Sequence, residues 1–250
     1  MAWRCALRDD APMKAAALVL LACLAAAPLR AAVLPEAPPV DVALVLVSDV
    51  SRSIDDAEFQ LQKQGYQAAF TDPDVIAAIA GGPTGAIAVS YVEFASAGDV
   101  KTVLDWTVIS GGASSSAFAA RLAAAPRSFW GRTAIGAGID LAIAKLADSG
   151  YQATRQVIDV CGDGISNAGP PVEAVRDHAV AAGITINGLA ISNDHPMSWT
   201  VAHVQPRGGL AAWYRAHVIG GPGSFVLEVH DFASFGRAMT RKLVSEIASR

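Results

Sequence analysis

Short apolar runs alternate with segments of helical periodicity along most of this chain. Residues 42–47 form a continuous apolar run, which is typical of a strand buried on both faces of a sheet. Residues 55–70 follow with Phe59, Tyr66 and Phe70 at helical spacing. Strands that alternate with helices form mostly parallel sheets that are covered on both faces. The pattern therefore predicts an α/β fold.

The same alternation continues towards the C-terminus. Further strands are predicted at residues 87–94, 100–109, 156–160 and 184–191, and helices at residues 113–124, 133–146, 172–182 and 232–247. A tight turn at residues 96–99 makes the strand at 100–109 antiparallel to its predecessor. We therefore predict a doubly wound, mostly parallel central sheet with one antiparallel edge strand and helices on both faces. Ser53 and Asp56 have the spacing of a capping box at the first helix, and residues 213–218 and 224–229 flank a Gly-Gly-Pro-Gly turn.

The first 31 residues have the pattern of a signal peptide. Basic residues precede an apolar run at residues 15–27, and Ala31 is a small residue at which a signal peptidase could cleave. We expect a signal peptide at 1–31, an extended spacer at 32–40 and a folded domain at 41–250. The expected localisation is periplasmic or secreted, with no integral membrane span after cleavage. A lipoprotein attached through Cys23, an uncleaved membrane anchor and a start at Met13 remain alternatives.

The charge and cysteine content exclude two classes of protein. The chain carries a net charge of −4, and removal of residues 1–31, with four Lys/Arg and two Asp/Glu, changes it to −6. Nucleic-acid binding requires clustered basic residues, so nucleic acid is not an expected partner. Cleavage after Ala31 leaves Cys161 as the single cysteine, which excludes an intramolecular disulfide. We expect Cys161 to be a buried thiol at the end of a strand.

Three short loops bring oxygen-bearing side chains to the edges of the predicted elements. They are Asp49-Val50-Ser51-Arg52-Ser53, Gly131-Arg132-Thr133-Ala134 and Cys161-Gly162-Asp163-Gly164. The first and third follow strands, and in an open α/β sheet the ligand lies beyond the carboxyl ends of the strands. Two carboxylates and three hydroxyls form an all-oxygen ligand set that suits Mg²⁺. Taken singly, each side chain is better explained as a cap or turn residue, and only the three loops together indicate a site.

These three loops resemble the metal-ion-dependent adhesion site of von Willebrand factor A domains. The resemblance extends from about residue 40 to the end of the chain, and the glycine-rich tail around residues 218–223 resembles an uncharacterised, exported bacterial branch of that superfamily. It implies that Ser51, Ser53 and Thr133 bind a metal directly, and that Asp49 and Asp163 bind it directly or through water.

The sequence departs from the superfamily pattern at two positions. Arg52 stands where a glycine is common, and Gly162 stands where many relatives have Thr or Ser. Arg52 places a cation beside the expected metal, whereas Gly162 removes a possible supporting hydroxyl. Neither departure removes a predicted ligand.

The ligand set predicts a binding module rather than an enzyme. A Mg²⁺ ion (alternatively Mn²⁺ or Ca²⁺) that is held largely by neutral hydroxyls keeps much of its charge. We expect it to capture an Asp or Glu side chain of a protein partner, assisted by Arg52. A metal-dependent hydrolase of unknown substrate is the main alternative, and a site that has lost metal binding is a third.

Three common catalytic motifs do not occur in the sequence. There is no phosphate-binding G-x-x-x-x-G-K-[ST] loop, no G-x-S-x-G motif and no H-E-x-x-H motif. His195 is expected on the same face as the three loops, where it could contact a ligand or cap a turn. Trp199, Trp213 and Tyr214 could form a partner-binding rim, although core packing is the default for such residues.

Overall fold

The computed structural model describes residues 37–192 and 201–248, and its centre is a six-stranded sheet. The strands are β1 Pro39–Asp49, β2 Ile87–Phe94, β3 Val100–Ile109, β4 Gln152–Gly162, β5 Thr185–Ile191 and β6 Val226–Val229. Their order in the sheet is β3-β2-β1-β4-β5-β6. All neighbouring strands are parallel except β2 and β3, which are antiparallel. The predicted fold class is therefore confirmed.

Helices cover both faces of this sheet. They are α1 Asp56–Thr71, α2 Pro73–Ala80, α3 Gly112–Ala124, α4 Ile135–Ala147, α5 Val172–Ala181, α6 Val201–Val204, α7 Leu210–His217 and α8 Phe235–Ala248. Successive side chains of a strand point to opposite faces, so β1 supplies two separate cores. Leu44 and Leu46 pack in the core formed with α1, α3 and α8. Val45 and Val47 pack in the core formed with α4, α5 and α7.

The register of β1 and β4 aligns two of the sequence loops. Ser48 of β1 pairs with Cys161 of β4, so the two strands end at nearly the same level. Asp49 is the last residue of β1, and Asp163 comes directly after β4. The chain runs from β1 to β2 on one side and returns to β4 on the other. The carboxyl ends of β1 and β4 therefore flank the position at which the winding direction switches.

The structure corrects several local predictions. The capping box at α1 is formed by Asp55 and Glu58, not by Ser53 and Asp56. Helix α4 begins at Ile135 rather than at residue 133, and β4 is longer than predicted. Helix α2 was not predicted, and residues 213–217 belong to α7. Strand β1 begins within the predicted spacer, and a 3₁₀ turn, Phe232–Ser234, precedes α8.

Among the described residues, no helix is both long enough and apolar enough to cross a membrane. The expected signal peptide at 1–31 lies outside the described residues and stays a prediction.

Candidate metal site

The first loop turns sharply after β1 and directs its carboxylate and its two serine hydroxyls inward. The backbone N–H of Ser51 donates to Oδ1 of Asp49 at 2.7 Å, which fixes the carboxylate against its own loop. The backbone N–H of Arg52 donates to the carbonyl of Gly131 at 3.0 Å, so the first and second loops are joined directly. Asp49, Ser51 and Ser53 are all buried despite their polarity.

A continuous series of short contacts connects the three loops. Thr133 Oγ1 donates to Ser51 Oγ at 3.0 Å, and the hydroxyls of Ser51 and Ser53 are 3.1 Å apart. Ser53 Oγ in turn donates to Oδ1 of Asp163 at 2.7 Å. All five side chains singled out in the sequence therefore lie within one cluster. Their role as metal ligands stays a prediction.

The two carboxylates of this cluster are buried close to each other. Burial raises the pKa of Asp49 to about 7, although the bonds from Ser51 oppose the shift. Burial also raises the pKa of Asp163 well above its usual range, and the charge of Asp49 adds to this effect. The Oδ2 atoms of both residues are buried without a hydrogen-bond partner. Buried acceptors of this kind are unfavourable unless another group, such as a cation, satisfies them.

Arg127 holds the first loop in place through hydrogen bonds to its backbone carbonyls. Its Nη2 donates to the carbonyls of Val50 at 2.7 Å, Ser51 at 2.6 Å and Ile54 at 3.0 Å. Its Nε donates to the carbonyls of Val50 and Phe129. A planar guanidinium presents several donors in a fixed arrangement, which suits the convergence of these carbonyls. Arg127 therefore fixes the backbone that carries Ser51 and Ser53.

His203, from α6, reaches the edge of the cluster. Its Nε2 lies 3.1 Å from Thr133 Oγ1, and its Nδ1 lies 3.3 Å from Nδ2 of Asn167. Burial and the nearby charge of Arg52 lower the pKa of His203, which favours the neutral imidazole. The Oδ1 of Asn167 accepts from the backbone N–H of Thr133 at 3.0 Å. Asn167 thus connects Thr133 and His203 on the side of the β4–α5 loop.

A small cleft opens over these side chains. Its volume is about 110 Å³, and it is lined by Ser51, Arg52, Ser53, Gly131, Arg132, Thr133, Asn167 and His203. Arg52 and Arg132 are exposed at its rim. Nε of Arg132 donates to Oδ1 of Asn167 at 3.3 Å, and its Nη2 donates to the carbonyl of the same residue. The floor of the cleft therefore carries hydroxyls and its rim carries positive charge.

Gly162 leaves room for a tyrosine beside the cluster. A Cβ at this position would lie 2.8 Å from the hydroxyl of Tyr214 and 3.0 Å from Oδ2 of Asp49. Tyr214 is fully buried, and burial followed by the charge of Asp49 raises the pKa of its hydroxyl. The glycine that removes a hydroxyl from β4 thus allows a tyrosine hydroxyl of α7 to approach Asp49. Tyr214 packs in the core, which is the default expectation for it.

Sequence reasoning missed four residues that surround the cluster. Arg127, Asn167 and His203 lie in loops or in a four-residue helix and belong to no recognisable motif; Tyr214 was considered only as a rim or core residue. Asn167 lies four residues beyond Asp163 in a loop rich in Gly and Pro, which does not by itself indicate a functional residue. His195 and Trp199, which were considered as cleft residues, lie outside the described residues.

The remaining predictions about this region concern cysteine and the metal-ligand type. Cys161 is a buried free thiol, as expected, and burial raises its pKa well above the usual value. Within residues 37–192 and 201–248, no group of three or more His, Cys, Asp or Glu side chains is placed to hold a metal ion. Any cation at this cluster would therefore depend on the hydroxyls as well as on the two carboxylates.

Comparison with solved structures identifies the fold. A mussel byssus protein, proximal thread matrix protein 1, with a zinc-occupied MIDAS motif matches with a TM-score of 0.59 at 16% identity, covering 84% of this chain and 49% of that one. A von Willebrand factor type A protein from Catenulispora acidiphila matches with a TM-score of 0.53 at 16% identity, covering 84% and 43%. The pilus adhesin SpaC from Lactobacillus rhamnosus GG matches with a TM-score of 0.56 at 13% identity, covering 84% and 31%. The chain therefore has a von Willebrand factor A fold.

The family assignment follows from the sequence. Residues 39–250 match the family described as protein of unknown function (DUF1194), so the chain belongs to that family. No curated protein matches the chain significantly. The chain spans about half the length of the mussel protein with which it shares its fold.

Proposed function

We propose that this chain is a metal-dependent binding module in which Asp49, Ser51, Ser53, Thr133 and Asp163 hold a divalent cation. The observation that carries the proposal is the pair of buried carboxylates, each with an Oδ2 atom that has no hydrogen-bond partner. A cation that both carboxylates reach would satisfy both atoms and would offset the burial of negative charge. The bound cation supplies a positively charged site for an anionic ligand.

The spacing of the donors supports this proposal. Adjacent ligands of an octahedral Mg²⁺ ion lie about 3 Å apart, since each is about 2.1 Å from the ion. The contacts from Thr133 to Ser51, from Ser51 to Ser53 and from Ser53 to Asp163 are 3.0, 3.1 and 2.7 Å. The cluster could therefore exchange hydrogen bonds for metal ligation with small movements.

The identity of the cation is part of the proposal. An all-oxygen donor set favours Mg²⁺, with Mn²⁺ or Ca²⁺ as alternatives. The mussel protein that shares the fold has been solved with zinc at its MIDAS motif, so Zn²⁺ belongs among the ions to be tested.

The proposed ligand is an Asp or Glu side chain of a protein partner. A cation held mainly by neutral hydroxyls keeps positive charge that an incoming carboxylate can neutralise. Arg52 and Arg132 line the cleft and extend this positive field. We further propose that the module acts in the periplasm or outside the cell, on the basis of the signal-peptide pattern at residues 1–31.

Isothermal titration with Mg²⁺, Mn²⁺ and Zn²⁺ tests metal binding directly. Thr133→Val keeps the shape of the side chain but removes the hydroxyl, and we expect it to reduce metal affinity at least tenfold. Thr71→Val is a matched control, because the hydroxyl of Thr71 bonds only to carbonyls of its own helix. Absence of binding by the wild type, or equal affinity in Thr133→Val, would refute the proposed ligand set.

A pull-down from envelope and secreted fractions tests partner binding. The wild type should retain a partner with metal present and release it with chelator, whereas Asp163→Ala should retain none. A partner held equally under all conditions would remove the metal from the mechanism. Metal-dependent hydrolysis of phosphate or acyl esters by the wild type would favour an enzyme instead.

A further inference from the structure

The neighbours of His203 determine which of its ring nitrogens carries the proton. Oδ1 of Asn167 already accepts from the backbone N–H of Thr133 and from Nε of Arg132. The amide therefore presents its NH₂ group to His203 Nδ1, at 3.3 Å, so that Nδ1 acts as the acceptor. A neutral imidazole that accepts at Nδ1 carries its hydrogen on Nε2.

Thr133 leads independently to the same tautomer. Its hydroxyl donates its single hydrogen to Ser51 Oγ at 3.0 Å. Towards His203 Nε2, at 3.1 Å, the Thr133 oxygen can therefore only accept. The hydrogen bonds of Asn167 and of Thr133 therefore both indicate that Nε2 of His203 carries a hydrogen, which points into the cleft beside Thr133.

The backbone around Gly164 holds the ring close to the cluster. A Cβ at Gly164 would lie only 2.2 Å from His203 Nε2, so the ring is packed against the loop that carries Asp163. The carbonyl of His203 also accepts from the backbone N–H of Ile165 at 3.1 Å. Contacts of its ring with Gly164 and of its backbone with Ile165 therefore hold His203 in position.

We propose that His203 recognises the captured ligand, by donating its Nε2 hydrogen to the oxygen of a carboxylate that does not bind the metal. This inference rests on the proposed function and adds a specificity-determining residue to it. When Thr133 binds a cation through its oxygen, a charged carboxylate oxygen is a stronger acceptor for the imidazole N–H than the hydroxyl is. His203 therefore favours a ligand with two oxygens on one centre.

The same geometry argues against His203 as a metal ligand. A ligating imidazole offers the lone pair of one nitrogen to the metal and donates its other N–H to an acceptor. Here the group opposite Nδ1 is the NH₂ of Asn167, whose oxygen is already occupied by two donors. Ligation through Nε2 would require the Asn167 amide to turn over, which would break the two hydrogen bonds that its Oδ1 accepts.

Nuclear magnetic resonance of ¹⁵N-histidine-labelled protein tests the assignment. We expect Nε2 of His203 to be protonated in the metal-free protein and to stay protonated at saturating Mg²⁺. Sodium acetate, as the carboxylate probe, should shift the Nε2–H signal in the presence of Mg²⁺ and not in its absence. Loss of the Nε2 proton on addition of Mg²⁺ would overturn the proposal and would make His203 a metal ligand.

Variants separate recognition of the ligand from binding of the metal. His203→Ala should lower acetate affinity roughly ten- to a hundredfold in the presence of Mg²⁺, since a bond to a charged group is lost. Its Mg²⁺ affinity should stay within about twofold, because a carboxylate-binding residue contributes little to the empty site. His203→Gln, which retains an N–H donor, should recover part of the acetate affinity. His178→Ala removes an exposed histidine of α5 and serves as the control.

The outcomes distinguish this inference from the function on which it rests. Mg²⁺ binding that persists together with unchanged acetate affinity in His203→Ala would refute the role of His203 alone. Failure of the wild type to bind any divalent cation would refute both.

Discussion

Arg127 should control both the stability of the fold and the affinity of the site for metal. Its guanidinium donates to four backbone carbonyls, three of which belong to the loop that carries Ser51 and Ser53. Arg127→Met keeps an apolar stem of similar length and removes every one of these bonds. The substitution therefore tests whether the loop depends on the guanidinium rather than on packing.

The expected loss of stability follows from these contacts. A hydrogen bond to a charged group contributes about 1.5–3 kcal/mol, and such contributions are not additive. Burial of the guanidinium opposes them, since it lowers the pKa of Arg127. The ion pair with Asp56 is 3.6 Å long and almost fully exposed on the Asp56 side, so it contributes little. We expect Arg127→Met to reduce the free energy of unfolding by about 3 kcal/mol, a large part of the stability of an ordinary domain.

Metal affinity should fall together with stability. Removal of a residue that supports metal ligands typically lowers metal affinity about 10- to 100-fold. Urea denaturation without metal measures the first effect, and titration with Mg²⁺ at a temperature where the variant is folded measures the second. Arg121→Met is the control: Arg121 is exposed and makes a single 3.2 Å bond to Thr107, so we expect a change below about 0.5 kcal/mol. A folded Arg127→Met variant with normal Mg²⁺ affinity would refute the positioning role.

Three further substitutions have defined outcomes. Burial and the charge of Asp159 raise the pKa of Glu246 to about 7, so the stability that its protonated form contributes is present below the usual pKa of 4.5 and is lost as the pH rises through 7. Between pH 4.5 and pH 8, the stability of Glu246→Gln in urea unfolding should therefore rise by up to about 3 kcal/mol relative to that of the wild type. A difference between the two proteins that does not change with pH would contradict this. Gly162→Ala should lower the free energy of unfolding by about 1–3 kcal/mol in the same assay, since the new Cβ would lie 2.8 Å from the buried hydroxyl of Tyr214. An unchanged free energy of unfolding would show that Tyr214 moves aside without cost. Trp130 is 58% exposed beside the cleft residue Gly131. Trp130→Ala should therefore weaken partner retention in the pull-down at unchanged Mg²⁺ affinity. Equal retention by the variant and the wild type would show that Trp130 does not contact the partner.

The strands and the three loops could be predicted because their signals are local. An apolar run such as residues 42–47 indicates a buried strand whatever lies elsewhere in the chain. Asp49 and Asp163 were identified because each follows such a run, and the parallel sheet then brings the ends of β1 and β4 together. The fold class and the neighbourhood of these two residues therefore followed from patterns that span about ten residues.

The residues that support the cluster could not be predicted in this way. The bonds of Arg127 to the first loop join positions up to 77 residues apart, and His203 lies 70 residues from Thr133. Arg127 lies in a loop and His203 in a four-residue helix that is too short to give a periodic pattern, and neither belongs to a motif of fixed spacing. Their contacts exist only once the loops have been placed, so the sequence of each loop contains no sign of them.

The errors at the helix starts and the composition of the cluster have one physical cause. Ser53 was predicted to cap α1 and Thr133 to begin α4, and neither caps a helix: Asp55 caps α1, and α4 begins at Ile135 without a side-chain cap. A capping hydroxyl is worth about 1 kcal/mol to its helix, and α4 forgoes this contribution. The two hydroxyls instead form bonds to side chains 110 and 82 residues away. Residues that depart from the usual sequence preferences of helices tend to lie at functional positions. Here the hydroxyls of Ser53 and Thr133, which do not cap α1 and α4, belong to the cluster around the buried carboxylates.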